Sequence, residues 1–314
     1  MTEPLLSIRG LRKGYRSPSG VRVDALAGVD IDIAAGETLG LVGESGCGKT
    51  TLGRAAMLLP PPDAGRVALE GIELTALPAR QLRAIRPRMQ MVFQDPVSSL
   101  NPKRSIADAV ATPLRLHARL PERGLRARVD AMLEAVGLDP VAMRDRLPHE
   151  LSGGQCQRAS IARALVLQPR LLLCDEPVSS LDVSIQAQIV NLLLDSKQRF
   201  DLTMLFIAHD IAVVRHVSDR VAVMYLGRVC EILPSDDLAS RSAHPYTRLL
   251  LDSIPGHTGG NTPTEHRSTA TPLAPPSGCR FRLRCPLATA RCASEEPALR
   301  EHAPGHQVAC HHVD

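Results

Sequence analysis

Eight consecutive residues, Gly43-Glu44-Ser45-Gly46-Cys47-Gly48-Lys49-Thr50, restrict this chain more than any other stretch. They fit the spacing G-x-x-x-x-G-K-[ST], a loop whose backbone wraps the phosphates of a nucleotide. The motif carries that meaning only between a strand and a helix. Both are legible here: Glu37 to Val42 reads as a short buried strand, and Thr50 to Leu59 as a helix. Glycine has no Cβ and tolerates positive φ, so successive N–H groups can all turn toward one anion. The start of the helix adds partial positive charge. Lys49 is expected to reach the β- and γ-phosphates and the Thr50 hydroxyl to ligate Mg²⁺, with Thr51 completing the set around the nucleotide. The loop acts through its backbone, so the Cys47 side chain is read as incidental. The sequence therefore predicts a nucleoside triphosphate site.

The chain has 314 residues, enough for one large α/β domain with an appendage or for two modest domains. Hydrophobic residues make up 44% and aromatics only 2%, so Leu, Val, Ile and Ala must fill the core. A formal charge of +4 does not by itself argue for nucleic-acid binding. Met1 to Arg16 has no apolar stretch suited to a signal peptide, and no apolar run reaches the roughly 18 residues of a spanning helix. Any membrane role is expected to come through a partner.

The order of elements points to an α/β fold. Val29-Asp30-Ile31-Asp32-Ile33 alternates as an antiparallel strand does, and Arg66 to Gly71 reads as a strand and turn. From Ser98 to Leu167 the pattern turns helical. Leu171 to Cys174 and Thr203 to Ile207 look like buried parallel strands flanking a helix over Ile185 to Arg199. After Leu251 the chain becomes rich in Pro, Gly, Ser and Thr, as a linker is.

Further segments narrow the chemistry. The strand Leu171 to Cys174 ends in Asp175-Glu176, and the carboxyl ends of parallel strands are where functional groups gather. Asp175 is placed to hold Mg²⁺ and Glu176 to accept a proton from the attacking water. Leu151-Ser152-Gly153-Gly154-Gln155 opens another helix with N-cap character and bare N–H groups. A second phosphate-binding helix start suggests service to a neighbour's nucleotide.

The succession of phosphate loop, Gln94, Leu151 to Gln155, Asp175-Glu176, Ser179-Ser180-Leu181-Asp182 and His209 resembles the ATP-binding subunit of an ABC transporter. The resemblance covers nearly all of residues 5–255. It implies a P-loop (RecA-like) α/β core with an antiparallel β subdomain and a helical subdomain over about 96–167. It also implies roles: Tyr15 stacks on adenine, and Gln94 senses Mg²⁺ and the attacking water. Ser152, Gly153, Gly154 and Gln155 face the γ-phosphate of the opposing subunit, Asp182 links the two sites, and His209 holds the γ-phosphate. Cys156, just after the signature, is read as tolerated variation.

The tail points to one branch. Ala243-His244-Pro245-Tyr246-Thr247-Arg248-Leu249-Leu250 and Gln94 to Pro102 resemble the ATPases of oligopeptide, dipeptide and nickel importers. A linker is expected over 256–278 and a small cysteine-rich extension over 279–314. Its Cys279, Cys285, Cys292 and Cys310 are spaced C-x5-C-x6-C-x17-C and resemble that branch's terminal motif, which is associated with an iron–sulfur cluster. Four soft thiolates suit a [4Fe-4S] cluster or zinc, with inert free thiols as the alternative. Arg280, Arg282, Arg284 and Arg291 are expected to lower the thiol pKa values.

The resemblance implies an ATPase at the cytoplasmic face of the cell (inner) membrane. Its partners would be a second ATPase, identical or sibling, two transmembrane permease subunits and an extracytoplasmic substrate-binding protein; no nucleic acid is expected. Peptide is the first choice of cargo, and nickel or a metal chelate the second. A soluble ABC ATPase acting on DNA or ribosomes is disfavoured, because Lys49 and Ser152 are only 103 positions apart and the chain carries one cassette. A regulator without turnover would be expected to lack Glu176.

Overall fold

The structure is a computed structural model that describes residues 3–16, 20–253 and 275–313. The linker expected over 256–278 lies outside them as far as position 274. The chain divides into two compact units, one formed by Met1–Ile33, Thr38–Thr75 and Ile207–Asp314, the other by Ala34–Glu37 and Ala76–Phe206.

The first unit holds an antiparallel sheet in the order Arg22–Ile33, Leu6–Arg16, Ala64–Leu69, Ile72–Glu73. Period-two alternation explains it: Val29, Ile31 and Ile33 are buried while Asp30 is exposed. A second group of strands carries the phosphate loop. Thr38–Val42 is buried throughout and runs parallel to Arg220–Tyr225, with Leu39 opposite Arg220. A continuously apolar strand of this kind suits a position covered on both faces. Arg220–Tyr225 turns back into Arg228–Pro234 through Leu226 and Gly227, both at positive φ (42° and 80°) as a tight hairpin of native twist requires.

The cysteine-rich segment packs into this same unit. Its hairpin, Arg300–Ala303 and His306–Val308, adds to Arg228–Pro234, with Glu231 opposite Val308. Glu231 is fully buried, and its carboxylate accepts from Ala243 N (2.6 Å), His244 N (3.2 Å) and His306 Nε2 (2.7 Å). A buried carboxylate needs that degree of satisfaction.

The second unit holds Met89–Val92 beside Leu171–Asp175, parallel and in register from Met89 opposite Leu171, with Thr203–Ile207 next in order. The helix Val183–Phe200 connects the last two strands, as the expected βαβ pattern requires. Helices Pro96–Ser99, Ile106–His117, Glu122–Ala135, Pro140–Met143 and Gly153–Leu165 occupy the stretch before Leu171. Gly153–Leu165 packs against the first three of these, and its Ser160 hydroxyl lies 3.3 Å from that of Ser99. Buried Cys156 donates its thiol to Pro148 O at 3.3 Å, which ties the first turn of this helix to the preceding turn; its side chain is a packing element.

Candidate nucleotide site

The phosphate loop leaves the end of the strand Thr38–Val42 and enters the helix Lys49–Ala56. Two glycines are demanded by crowding. A Cβ at Gly43 would meet Met224 O at 2.1 Å, and one at Gly48 would meet Ala25 O at 2.4 Å. Gly48 is also the N-cap of the helix, at φ 108°, and no side chain caps that helix. At Gly46 nothing among the described residues lies within 4 Å of a Cβ position, so they leave the loop open on that side. An uncapped helix start on an open, glycine-lined loop fits a chain of phosphates. Mg²⁺ asks for few protein ligands when phosphates supply the rest. Half-buried Thr50 and Thr51 lie in the first helical turn.

Lys49 is buried at 5% exposure, and its Nζ donates to two carbonyls of its own loop, Gly43 O at 2.7 Å and Glu44 O at 3.1 Å. Neutral carbonyls satisfy hydrogens without cancelling charge, so the ammonium is held as a positive centre beside the loop. Cys47 donates its N–H to Glu44 O at 3.2 Å and accepts from Gly227 N at 2.8 Å. Its thiol is buried, which pushes its pKa up and keeps it neutral. Glu44 N donates to the Tyr246 hydroxyl at 2.9 Å. Exposed Ser45 leaves the loop's outer edge to solvent.

The remaining first-unit candidates are Tyr15 and His209. Tyr15 is 42% exposed near the end of Leu6–Arg16, with Lys13 Nζ 5.9 Å from its ring centroid. His209 is exposed just past Thr203–Ile207, and the neighbouring Asp210 caps Ile211–Val217 by accepting from Ala212 N and Val213 N.

The second unit carries the other candidates. Asp175 ends its strand fully buried, and Glu176 follows at φ 46°. A left-handed conformation at a non-glycine residue costs on the order of 1 kcal/mol and breaks the alternation of the strand. The turn is held by Ser179, whose N (3.3 Å) and Oγ (3.1 Å) both donate to Glu176 O. Gln94 Nε2 donates to Glu176 Oε2 at 3.2 Å, so two candidates 82 positions apart meet. Ser152 caps Gly153–Leu165 reciprocally: Gln155 N donates to Ser152 Oγ at 3.3 Å, and Ser152 N to Gln155 Oε1 at 2.9 Å. Gly153 and Gly154 form the first turn, and exposed Asp182 is the N-cap of Val183–Phe200, without a side-chain bond.

Two family models match the sequence: that of the ABC transporter over residues 26–179, and that of the oligopeptide/dipeptide transporter C-terminal region over residues 230–292. A protein of Brucella ovis named for peptide import and ATP binding is 50% identical over 99% of this chain and 98% of its own length. The di/tripeptide transport ATP-binding protein DppF of Pseudomonas aeruginosa is 46% identical, over 99% and 98%. The chain belongs to the ATP-binding subunits of ABC transporters. Among solved structures, the dimeric ATP-binding cassette MJ0796 bound to ADP and Pi is 29% identical. It matches with a TM-score of 0.67, over 73% of this ABC subunit and 98% of the cassette. The ABC ATPase fold and ATP hydrolysis as the family's activity follow.

The terminal cysteines depart from expectation. Cys285, Cys292 and Cys310 are buried and Cys279 half-buried, and each is a free thiol. Among the described residues no group of three or more His, Cys, Asp or Glu side chains is arranged to hold a metal ion, so the expected iron–sulfur cluster does not find its ligand set. Burial pushes the Cys279 and Cys310 pKa values up, and that of Cys285 up to about 11, with neighbouring thiols adding in the same direction. The arginines do not lower them because they are engaged elsewhere. Arg280 bonds Leu226 O, Arg282 bonds Ser277 Oγ at 3.0 Å, Arg284 pairs with Glu44 and Arg291 with Glu295 at 2.7 Å.

Sequence reasoning also missed Tyr246, Arg284 and the Glu231–His306 pair. The segment around Tyr246 stood out only as a branch marker, and nothing in the sequence couples it to the loop.

Proposed function

We propose that this chain is the ATP-hydrolysing subunit that energises import of peptides through an ABC transporter. The observation that carries the reading is Glu176, held at positive φ with Gln94 Nε2 donating to its carboxylate at 3.2 Å, in a chain that also carries a lysine-bearing phosphate loop. The peptide cargo is supported by the names of its relatives and by the C-terminal family match.

In this mechanism the loop N–H groups and Lys49 bind the β- and γ-phosphates and Thr50 and Asp175 hold Mg²⁺, while Tyr15 stacks on the adenine. Mg²⁺ supplies neutralisation of the charge that develops on the transferred phosphoryl group. Glu176 orients the attacking water and takes its proton; the turn through Ser179 and the Gln94 amide fix the direction of the carboxylate. His209 holds the γ-phosphate from its strand end. Ser152 and its helix serve the nucleotide of a second ATPase subunit, a reading supported by the dimeric state of the similar cassette. Asp182 links the two sites.

Closure of the two subunits would pull on two permeases, with an extracytoplasmic protein delivering the peptide. No helix among the described residues is long and apolar enough to cross a membrane, which suits a peripheral subunit at the cytoplasmic face. Val97, three positions from Gln94 and 49% exposed, offers apolar surface for permease contact. The iron–sulfur cluster is not part of this proposal.

The test is phosphate release by the complex assembled from this chain, its permeases and its binding protein in vesicles. Stimulation by di- or tripeptides, with peptide accumulation, is the expected result. Stimulation by nickel and not by peptide would overturn the cargo assignment, and hydrolysis unaffected by Glu176→Gln would overturn the catalytic one.

A further inference from the structure

The cysteine-rich segment reaches back to the phosphate loop. Arg284 lies 240 positions beyond Glu44, yet its guanidinium closes on both oxygens of the Glu44 carboxylate, Nη1 to Oε2 at 2.9 Å and Nη2 to Oε1 at 2.8 Å. A two-pronged Arg–carboxylate pair fixes direction as well as charge. Arg284 is only 21% exposed in its side chain, because it lies over aromatic rings whose centroids are 5.8 Å (Tyr225) and 5.7 Å (Phe281) away. Tyr225 and Phe281 meet edge-on at 5.3 Å, and Tyr246 packs 4.6 Å from Tyr225 while its hydroxyl accepts from Glu44 N. Two of only three tyrosines in the chain gather here, so this cluster is not generic core filling.

Glu44 is the sole acidic residue between Gly43 and Thr50, in a loop built to receive a polyanion. A bare carboxylate there would repel the like charge of a phosphate. We propose that Arg284 is a positioning residue through which the cysteine-rich segment sets the affinity for ATP. Its fork cancels the Glu44 charge and holds the first turn of the loop open for phosphate. The segment is thereby a latch on the nucleotide site rather than a passive appendage, and loosening it weakens ATP binding without touching the hydrolytic groups. This rests on the reading of the loop as an ATP site.

The experiment uses the purified full chain titrated with a fluorescent ATP analogue, and the assembled transporter for kinetics. Arg284→Gln is expected to raise Kd and the KM for ATP about three- to tenfold with kcat unchanged. Arg284→Lys, which keeps the charge but loses the fork, should fall between it and the wild type. Combining Arg284→Gln with Glu44→Gln should restore affinity to that of Glu44→Gln alone. A merely structural role for Arg284 predicts no such rescue. Should Arg284→Gln not fold, Arg284→Lys with and without Glu44→Gln carries the same comparison. An Arg284 variant that binds like wild type, or a double variant as weak as the Arg284 single, would overturn the proposal. A wild-type chain that leaves the analogue unbound would overturn the nucleotide reading first, and this inference with it.

Discussion

The helix Lys49–Ala56 and the helix Gly153–Leu165 both start at a glycine-rich motif, yet they begin in opposite ways. The first starts at left-handed Gly48, with no side-chain capping bond. The second starts at extended Ser152, whose side chain and that of Gln155 satisfy each other's backbone N–H groups. The first helix lacks a side-chain cap, and the second carries its own. In the second, the Ser152 hydroxyl accepts from Gln155 N, a bond that does not use its own hydrogen. A third start, His244 before Pro245–Asp252, uses a buried imidazole: Tyr246 N donates to His244 Nδ1 at 3.0 Å. In the proposed function the first start receives an anion and the second serves a neighbour, while the third is capped by a titratable group.

The comparison breaks most visibly at catalysis. Glu176→Gln should keep both helix starts intact and retain ATP binding while lowering phosphate release in the assembled complex by about 10²- to 10⁴-fold. Next in size, Gly48→Ala should abolish the stabilisation that Mg-ATP confers. At nucleotide concentrations of 100 to 1,000 times Kd that stabilisation is about 3–4 kcal/mol, readable as a thermal shift. The reason is local: the added Cβ would meet Ala25 O at 2.4 Å, in a conformation that suits glycine. A Gly48→Ala chain that still shifts with ATP would show that the open start is not the binding element.

The proton-sensitive start comes third. Burial lowers the His244 pKa from 6.5 to about 4. Above pH 6.5 the imidazole is neutral folded or unfolded, and its contribution is fully present. Between pH 6.5 and 4 the unfolded chain takes the proton and the folded one does not, so stability falls as pH falls, by about 3 kcal/mol in all. His244→Asn retains a capping acceptor without titrating. Urea unfolding across that window should be flatter for this variant than for the wild type. Parallel slopes would remove His244 as the cause. The smallest effect belongs to the self-sufficient start: Ser152→Ala should destabilise the chain by about 1 kcal/mol without ligand. It should leave the ATP-dependent thermal shift in place, and loss of that shift would contradict the division of labour between the two starts.

Much of this was readable from local patterns. The strands Thr38–Val42, Leu171–Asp175 and Thr203–Ile207 announce themselves as apolar runs, and the helix after Ser152 by an N-cap three residues before Gln155. Cys156 was read as tolerated variation from its place just after the signature; its bond to Pro148 O is a packing fact. The arginine-rich tail misled for a related reason. Proximity in sequence suggested that Arg280 to Arg291 would tune the cysteines, but long side chains reach outward and burial dominates the thiols.

What the amino-acid order determined alone is the set of devices that act within a few residues: the phosphate loop, the Ser152–Gln155 cap, and the strand ending in Asp175-Glu176. Each depends on φ/ψ preference and on contacts three or four positions apart, which a linear pattern encodes. Only the tertiary structure decided that Arg284 closes on Glu44, that His306 meets Glu231 and that Gln94 meets Glu176. Those pairs lie 240, 75 and 82 positions apart, and they form because sheet pairing and burial bring distant segments together, which no local spacing expresses.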